Sequence, residues 1–482
     1  MSKYFVTTSI PYANAEPHIG FAMELTVADV LARQARAKGH EVIFSTGTDE
    51  HGGKIAEKAQ EVGMTTKDFT DEMSERFRSL SSLLNISNNR FIRTTDKDHE
   101  RRASLIWQKL KKDIYKSSYI GWYCVGDEAF FTETEVKELN GICPNHERPF
   151  EKVEEENYFF KLSAYEDQIL KAIESGQFII LPESKRNEVL SLIRGGLEDI
   201  SVSRPKDKIS WGIPVPDDQE QVMYVWFEAL MNYITVLGYP EKDDFKNFWP
   251  ADIQVIGKDI IRFHAAIWPA MLLSLGLSLP KKLYVHGFIT INDQKISKSL
   301  GNTVHPQDIV DKYGVDTFRY YFLRHIPSNE DGDFSWQRLE AAYNNELANE
   351  LGNALQRSLN MASKYFDGKI RTLPGSDHDI SLYTEALEAC RFDRALDEVW
   401  AHIRGLNQFI DEEKPWVLFA NNDKEHLEEV VGHTISSLNM IACLLEPFLP
   451  DTAERIQQLL SAPKLEPPAT TLFPKQSSNT KA

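Results

Sequence analysis

Residues 4–39, YFVTTSIPYANAEPHIGFAMELTVADVLARQARAKG, decide the fold. They open with an apolar, β-prone run at 4–10, turn through Pro17-His18-Ile19-Gly20, and continue as a helical pattern over 20–38. Met23, Val27, Val30, Leu31 and Ala35 recur at the spacing of one buried helical face, and Gly39 follows as a C-cap. With a strand near 42–46 coming next, the segment reads as the start of a βαβ unit in a parallel sheet. A helix N-terminus directly after a strand offers backbone amides and a favourable dipole to an anion, and here an imidazole joins them. Pro17 stiffens that turn on one side, while Gly20 lets backbone come close on the other. Taken alone, such a His-x-Gly is more often a solvated cap than a ligand site.

The second informative stretch is far away. An apolar strand near 283–289 leads into Lys295-Ile296-Ser297-Lys298-Ser299, a serine-rich loop with two cations placed to neutralise charge growing on a leaving pyrophosphate. Strand, histidine turn and helix, followed much later by strand and lysine loop, predict an α/β fold with a split Rossmann-type nucleotide-binding domain, spanning 1–112 and 223–305. Residues 113–222 read as an insertion of short irregular strands, with a cysteine cluster and the charge-rich run 151–157. A linker at 306–342 precedes helical periodicity over 343–465, in segments near 343–366, 381–411 and 425–445, which predicts an α-helical bundle. Residues 466–482 form a polar tail.

Composition narrows the class. The chain has 482 residues, 42% hydrophobic and 26% charged, which are globular values. No apolar run reaches the roughly 20 residues of a membrane span, and no signal-peptide pattern opens the chain, so a cytoplasmic protein with no membrane partner is expected. Four cysteines, Cys124, Cys143, Cys390 and Cys443, suit a reducing compartment, the last two as buried residues of apolar helical patterns. A net charge of −18 argues against a general nucleic-acid coat, though a local basic stripe can still hold one RNA.

With both stretches in place, the chain resembles the class I aminoacyl-tRNA synthetases, and among them the methionyl-tRNA synthetase family, over nearly its whole length. His18-Ile19-Gly20 is similar to the family's HIGH signature, with Phe21 in place of its last histidine, and Lys295 to Ser299 is similar to KMSKS, with Ile296 for methionine. Phe21 could pack on the nucleotide or on the sheet. The resemblance implies ATP, as its Mg2+ complex, held by His18, Gly20, Glu24, Gly257, Asp259, Lys295 and Lys298, with His18, Lys295 and Lys298 catalytic. A carboxylate such as Asp259 can accept from two ribose hydroxyls. It implies a pocket for L-methionine from Ile10, Tyr12, Asp49, Trp226, Ala229, Tyr233 and His286. Aromatic faces suit a thioether at ~0.3–1.5 kcal/mol per contact, and Asp49 offers an acceptor to the α-ammonium. Trp226, Ala229 and Tyr233, at i, i+3 and i+7, fall on one helical face, which by itself would be ordinary core.

The resemblance further implies that 113–222 is a connective domain with a zinc knuckle at Cys124, Asp127, Cys143 and His146, where Asp127 replaces a cysteine of many relatives. Zinc accepts such a mixed set, and a weakened site or a knuckle held by packing alone stays open. Residues 306–342 would be the stem-contact region and 343–465 the anticodon-binding domain. In it Asn353, Arg357 and Trp416 read bases of tRNA(Met) by hydrogen bonding and stacking, and a monomer is expected. Two rival readings stand beside this one: a class I synthetase for another apolar amino acid, because one methylene discriminates by only ~1–3 kcal/mol, and a synthetase-like paralogue that binds tRNA without charging it.

Overall fold

The computed structural model describes residues 2–125, 129–131, 133–144, 148–295, 303–370 and 379–475. They form two compact units, one drawn from 1–17, 39–79 and 88–285, the other from 18–38, 80–87 and 286–482.

The first unit is built on a six-stranded sheet in the order Arg90–Arg93, Glu41–Thr48, Lys3–Thr8, Ile253–Gly257, Lys282–His286, Ile179–Leu181. Lys3–Thr8 pairs in parallel with Glu41–Thr48 on one side and with Ile253–Gly257 on the other, in the registers Phe5↔Ile43 and Thr7↔Gln254. Ile253–Gly257 is buried throughout and Glu41–Thr48 nearly so, as strands of a parallel sheet covered on both faces are. Strand order reverses at Lys3–Thr8, and the carboxyl ends flanking such a reversal are where open α/β sheets bind ligands. Trp107, Phe160, Phe227, Tyr233 and Trp268 belong to one apolar core of this unit.

Within 113–222 the strands are mostly antiparallel: Ile114–Cys124 runs against Glu151–Phe160 from Ile114↔Phe160 to Tyr123↔Glu151. Ile179–Leu181 instead extends the main sheet beside Lys282–His286. The charged run at 151–157 lies within the ten-residue strand Glu151–Phe160, longer than the short strands expected of this insertion. Its Glu155 is buried and held by Arg204, whose Nε and Nη2 each lie 2.8 Å from a carboxylate oxygen, with the guanidinium 4.2 Å from the centre of the Tyr123 ring.

The second unit is mainly helical. Its first helix, Ile19–Ala37, buries the expected Met23, Val27, Val30, Leu31 and Ala35, but also Glu24, Thr26 and Asp29, so it is enclosed rather than one-faced. Arg319 Nη2 lies 2.8 Å and Arg33 Nε 2.7 Å from Asp29 Oδ2, and Ser87 donates to Asp29 Oδ1. Burial pushes the Asp29 carboxyl up, yet these two guanidiniums outweigh it and hold it below the usual range. Two expected long helices are interrupted. A π-helical turn, Tyr343–Gly352, precedes Asn353–Phe366, and Cys390, at φ 55°, separates Ser381–Glu388 from Phe392–Glu413. Cys390 is buried as expected, whereas Cys443 is exposed because it falls on the outer side of Lys424–Leu445. Among the described residues no helix is long and apolar enough to cross a membrane.

Candidate active site

A half-open pocket with about 260 Å³ of empty space, part of it open to solvent, lies in the first unit, lined by Ser9, Ile10, Asp49, Trp226, Ala229, Leu230, Asn232, Tyr233, Ile260 and His264. Its position follows from the sheet. Ser9 and Ile10 come just after Lys3–Thr8, Asp49 just after Glu41–Thr48, and Ile260 and His264 after Ile253–Gly257, all at the reversal of strand order. Ser9 N–H donates to Val255 C=O at 3.0 Å and Asp49 N–H to Pro11 C=O at 2.9 Å, so backbone pairing carries the strand geometry into the pocket wall.

The other wall is not the single helix expected. Val225–Ala229 and Asn232–Thr235 are two short helices joined at Leu230 and Met231. Trp226, Ala229 and Tyr233 nevertheless meet in the pocket, because Asn232 Nδ2 donates to Ala229 C=O at 2.7 Å across the junction. Trp226 stacks on Phe263 with ring centres 4.1 Å apart. His264 Nδ1 lies 3.0 Å from Ile260 C=O, an acceptor, so the neutral ring carries its proton there and Nε2 accepts from Tyr233 Oη at 2.7 Å. The pocket thus combines a buried carboxylate, Asp49, with aromatic and aliphatic faces and one polar Tyr–His pair.

Five of the seven expected pocket residues line this cavity; Tyr12 and His286 do not. Tyr12 forms a parallel bridge with Asp49 at the pocket's edge. His286 belongs to the second unit, where its Nε2 lies 2.9 Å from Glu24 Oε2 and its Nδ1 2.9 Å from Gly287 C=O. His264 was missed as a pocket residue because it sits in the run 257–264 assigned to the nucleotide. A polar ring in an otherwise apolar helical stretch was the signal for it.

In the second unit His18 caps Ile19–Ala37, its Nδ1 accepting from Gly20 N–H at 3.0 Å, so the neutral ring bears its proton on Nε2. A Cβ on Gly20 would meet the imidazole at 2.9 Å, so this cap needs glycine there. Solvent reaches the ring, but the protein crowded around it lowers its pKa; Glu24 pulls the other way, and His286 adds to the lowering. Glu24 and Phe21 are buried.

The strand leading to the lysine loop ends early, at His286. Gly287 then crosses close to another segment, where a Cβ would lie 2.2 Å from Glu330 C=O. A separate hairpin follows, Ile289–Ile291 against Gln294–Lys295, turned by Asn292 and Asp293 at φ 50° and 61°, the left-handed pair that two-residue hairpins favour. Asp333 Oδ1 fastens it, accepting from Asp293 N–H at 2.7 Å and Thr290 Oγ1 at 2.8 Å. Lys298 lies outside the described residues.

Gly257 is buried at the end of its strand, and Asp259 is exposed on the following turn, Lys258–Ile260. Cys124 and Cys143 are buried in an apolar cluster with Val136 and Phe150. Asp127 and His146 lie outside the described residues, among which no group of three metal-competent side chains occurs. Asn353 opens its helix in an exposed position, and Arg357 Nη2 pairs with Asp411 Oδ1 at 2.5 Å. Trp416 is 47% exposed on the short helix Pro415–Ala420.

The first unit thus holds a buried carboxylate and an aromatic cavity at the switch point of its sheet, and the second a His-capped helix and a hairpin that ends at Lys295. The family model of class I tRNA synthetases (M) matches residues 4–150 and 146–359, and that of the anticodon binding domain of methionyl tRNA ligase matches 373–472. The chain belongs to the methionyl-tRNA synthetase family. It is 44% identical over 475 residues to the methionine–tRNA ligase of Thermotoga maritima, covering 95% of this chain and 75% of that one. With that of Brucella melitensis it shares 41% over 478 residues, covering 96% and 92%. The Mycobacterium tuberculosis methionyl-tRNA synthetase in complex with methionyl-adenylate superposes with a TM-score of 0.91 at 39% identity, over 98% of this chain and 100% of that one. The apo form of the same enzyme gives 0.85 at 36% identity.

Proposed function

We propose that this chain is a methionine–tRNA ligase working in two steps. In the first, a methionine carboxylate oxygen attacks the α-phosphorus of Mg2+-ATP; the bond to the β-phosphate bridging oxygen breaks, giving methionyl-adenylate and pyrophosphate. In the second, the terminal adenosine of tRNA(Met), through its 2′-hydroxyl, attacks the mixed anhydride, and AMP leaves. The observation that carries this reading is the pocket: a buried acceptor for an α-ammonium, Asp49, shares one cavity with the faces of Trp226, Ala229 and Tyr233 and with a Tyr–His pair suited to a polarizable side chain.

In this reading His18, a neutral Nε2–H donor at a helix N-terminus, and Gly20 hold the triphosphate, with Glu24, Gly257 and Asp259 around the adenosine. Lys295 and Lys298 stabilise the departing pyrophosphate, and Tyr12 and His286 complete the amino-acid and adenylate contacts. Positioning and charge stabilisation do the catalysis, without a covalent enzyme intermediate. Asn353, Arg357 and Trp416 read the anticodon.

ATP–pyrophosphate exchange with each of the twenty amino acids tests the assignment. Exchange with methionine alone supports it; exchange with another residue favours a different synthetase, and none at all a non-charging paralogue. Lys298→Ala should slow exchange far more than it weakens methionine binding, and equal exchange rates would remove that lysine from the chemistry. The knuckle expectation at Cys124, Asp127, Cys143 and His146 meets a metal assay on purified protein: one equivalent of zinc supports it, none refutes it.

A further inference from the structure

Behind the pocket wall lies a buried cluster that the two-step chemistry does not use. Glu228 is fully buried on the short helix Val225–Ala229, between the pocket residues Trp226 and Ala229. Each of its carboxylate oxygens meets a different imidazole: Oε1 lies 2.8 Å from His51 Nδ1, and Oε2 3.0 Å from His99 Nε2. Both histidines are themselves buried. The outer nitrogen of His99, Nδ1, lies 2.8 Å from Thr235 Oγ1 on the second short helix, Asn232–Thr235.

These four side chains join three of the segments that line the pocket, those of Asp49, of Trp226 with Ala229, and of Asn232 with Tyr233. His51 stands two residues after Asp49, Glu228 is on the helix of Trp226 and Ala229, and Thr235 is on the helix of Asn232 and Tyr233. His99 comes from a third element, Lys97–Leu110. Two short helices of five and four residues cannot hold their own geometry, since helices this short are unstable alone. An ionised carboxylate with two imidazole donors supplies strong, directional bonds in a low-dielectric interior. Burial pushes the Glu228 carboxyl up, but His51, then His99, outweigh it and hold it below the usual range.

We infer that Glu228, with His51 and His99, is a positioning set for the amino-acid pocket, fixing the spacing of Asp49 from the Trp226–Ala229–Tyr233 wall and so setting the affinity for the amino acid. This rests on the ligase reading above. None of the three touches substrate in this assignment; they act through the residues that do.

Glu228→Gln keeps the shape and one acceptor, removes the charge, and requires one histidine to change tautomer. His51→Asn keeps a donor where Nδ1 stood, whereas His51→Leu removes it. Wild-type exchange with methionine tests the ligase reading by itself, and the variants are read only against that rate. Glu228→Gln and His51→Leu are expected to raise the methionine KM about tenfold, leaving kcat and the ATP KM within about twofold; His51→Asn should restore the methionine KM to within about threefold of the parent. An unchanged methionine KM in Glu228→Gln overturns the inference. So does a fall in kcat with matched rises in both KM values and His51→Asn no better than His51→Leu, the pattern of a merely structural cluster. If Glu228→Gln does not fold, the two His51 variants, which keep the carboxylate, decide the outcome alone.

Discussion

Two buried carboxylates, one in each unit, are shifted in opposite directions. Glu228, behind the pocket, has an imidazole on each oxygen and stays below the usual carboxylate range. Asp316, in the helical unit, accepts the Thr452 N–H at 2.6 Å through Oδ2, while its Oδ1 has no hydrogen-bond partner. Burial pushes it up to about 6, more than Thr452 and Arg319 pull it back. Near-equal burial with unequal donor counts shifts the two acids in opposite directions, because each donor aimed at a buried carboxylate favours its charged form. The same difference runs through the two candidate binding regions. The pocket is half-open, with Tyr233 and His264 bonded to each other in its wall, whereas Pro415–Ala420 shows Trp416, Val417 and Phe419 to solvent, at 47%, 41% and 50%. A recessed pocket suits a small ligand; an open aromatic face suits bases that stack on arrival.

The contrast is sharpened most by Asp49→Ala. Loss of a charge-assisted bond in the pocket costs ~1.5–3 kcal/mol, so kcat/KM for methionine in pyrophosphate exchange should fall about 10- to 100-fold. An unchanged value would remove Asp49 from substrate contact. Trp416→Ala, on the open face, should act on the other step: with stacking worth ~1–3 kcal/mol per base, tRNA charging should fall about tenfold while exchange stays within about twofold. A parallel loss in exchange would break the division between the regions. Tyr233→Phe removes the hydroxyl that His264 Nε2 accepts. At ~1 kcal/mol for one such bond, methionine KM should rise about fivefold, and an unaltered KM would make the Tyr–His pair a packing contact.

The smallest effect belongs to Asp316. Its folded pKa, about 6, is raised from the ordinary value of 3.8, so the folded state favours the proton. The stability this supplies is complete below the unfolded pKa and is lost as pH rises through about 6. Asp316→Asn keeps an acceptor for Thr452 and gives up some attraction to Arg319. Above that window it should gain about 1 kcal/mol, or roughly 2–4 °C in Tm, and at pH 4 it should gain nothing. A constant Tm difference across pH 4 to 8 would show Asp316 ionised throughout.

Much of this was legible beforehand where local pattern and tertiary role coincide. The run at 4–10, the helix after His18 and the C-terminal glycine at 39, with φ 82°, all stand where periodicity and capping put them. Pattern failed where long-range pairs override it. Enclosure of Ile19–Ala37 on all sides depends on Arg319, some 290 residues later, meeting Asp29. The charged strand at 151–160 depends on Arg204 meeting Glu155. In the pocket, the split of Val225–Ala229 from Asn232–Thr235 and the inclusion of His264 leave no periodic trace.

Residue order alone determined which groups are available: a histidine at a strand-to-helix turn, a carboxylate after the second strand, two aromatic residues seven apart with an alanine between them, two lysines in a serine-rich loop. It did so because these are local relations, set by side-chain chemistry and backbone spacing. Only the folded chain decided which of them share a cavity, that His264 belongs with Tyr233 while His286 pairs with Glu24, and that burial raises the Asp316 carboxyl while two imidazoles hold Glu228 down. Those outcomes depend on contacts between residues far apart in sequence and on the water excluded around them, and neither exists until the sheet and the helices have closed.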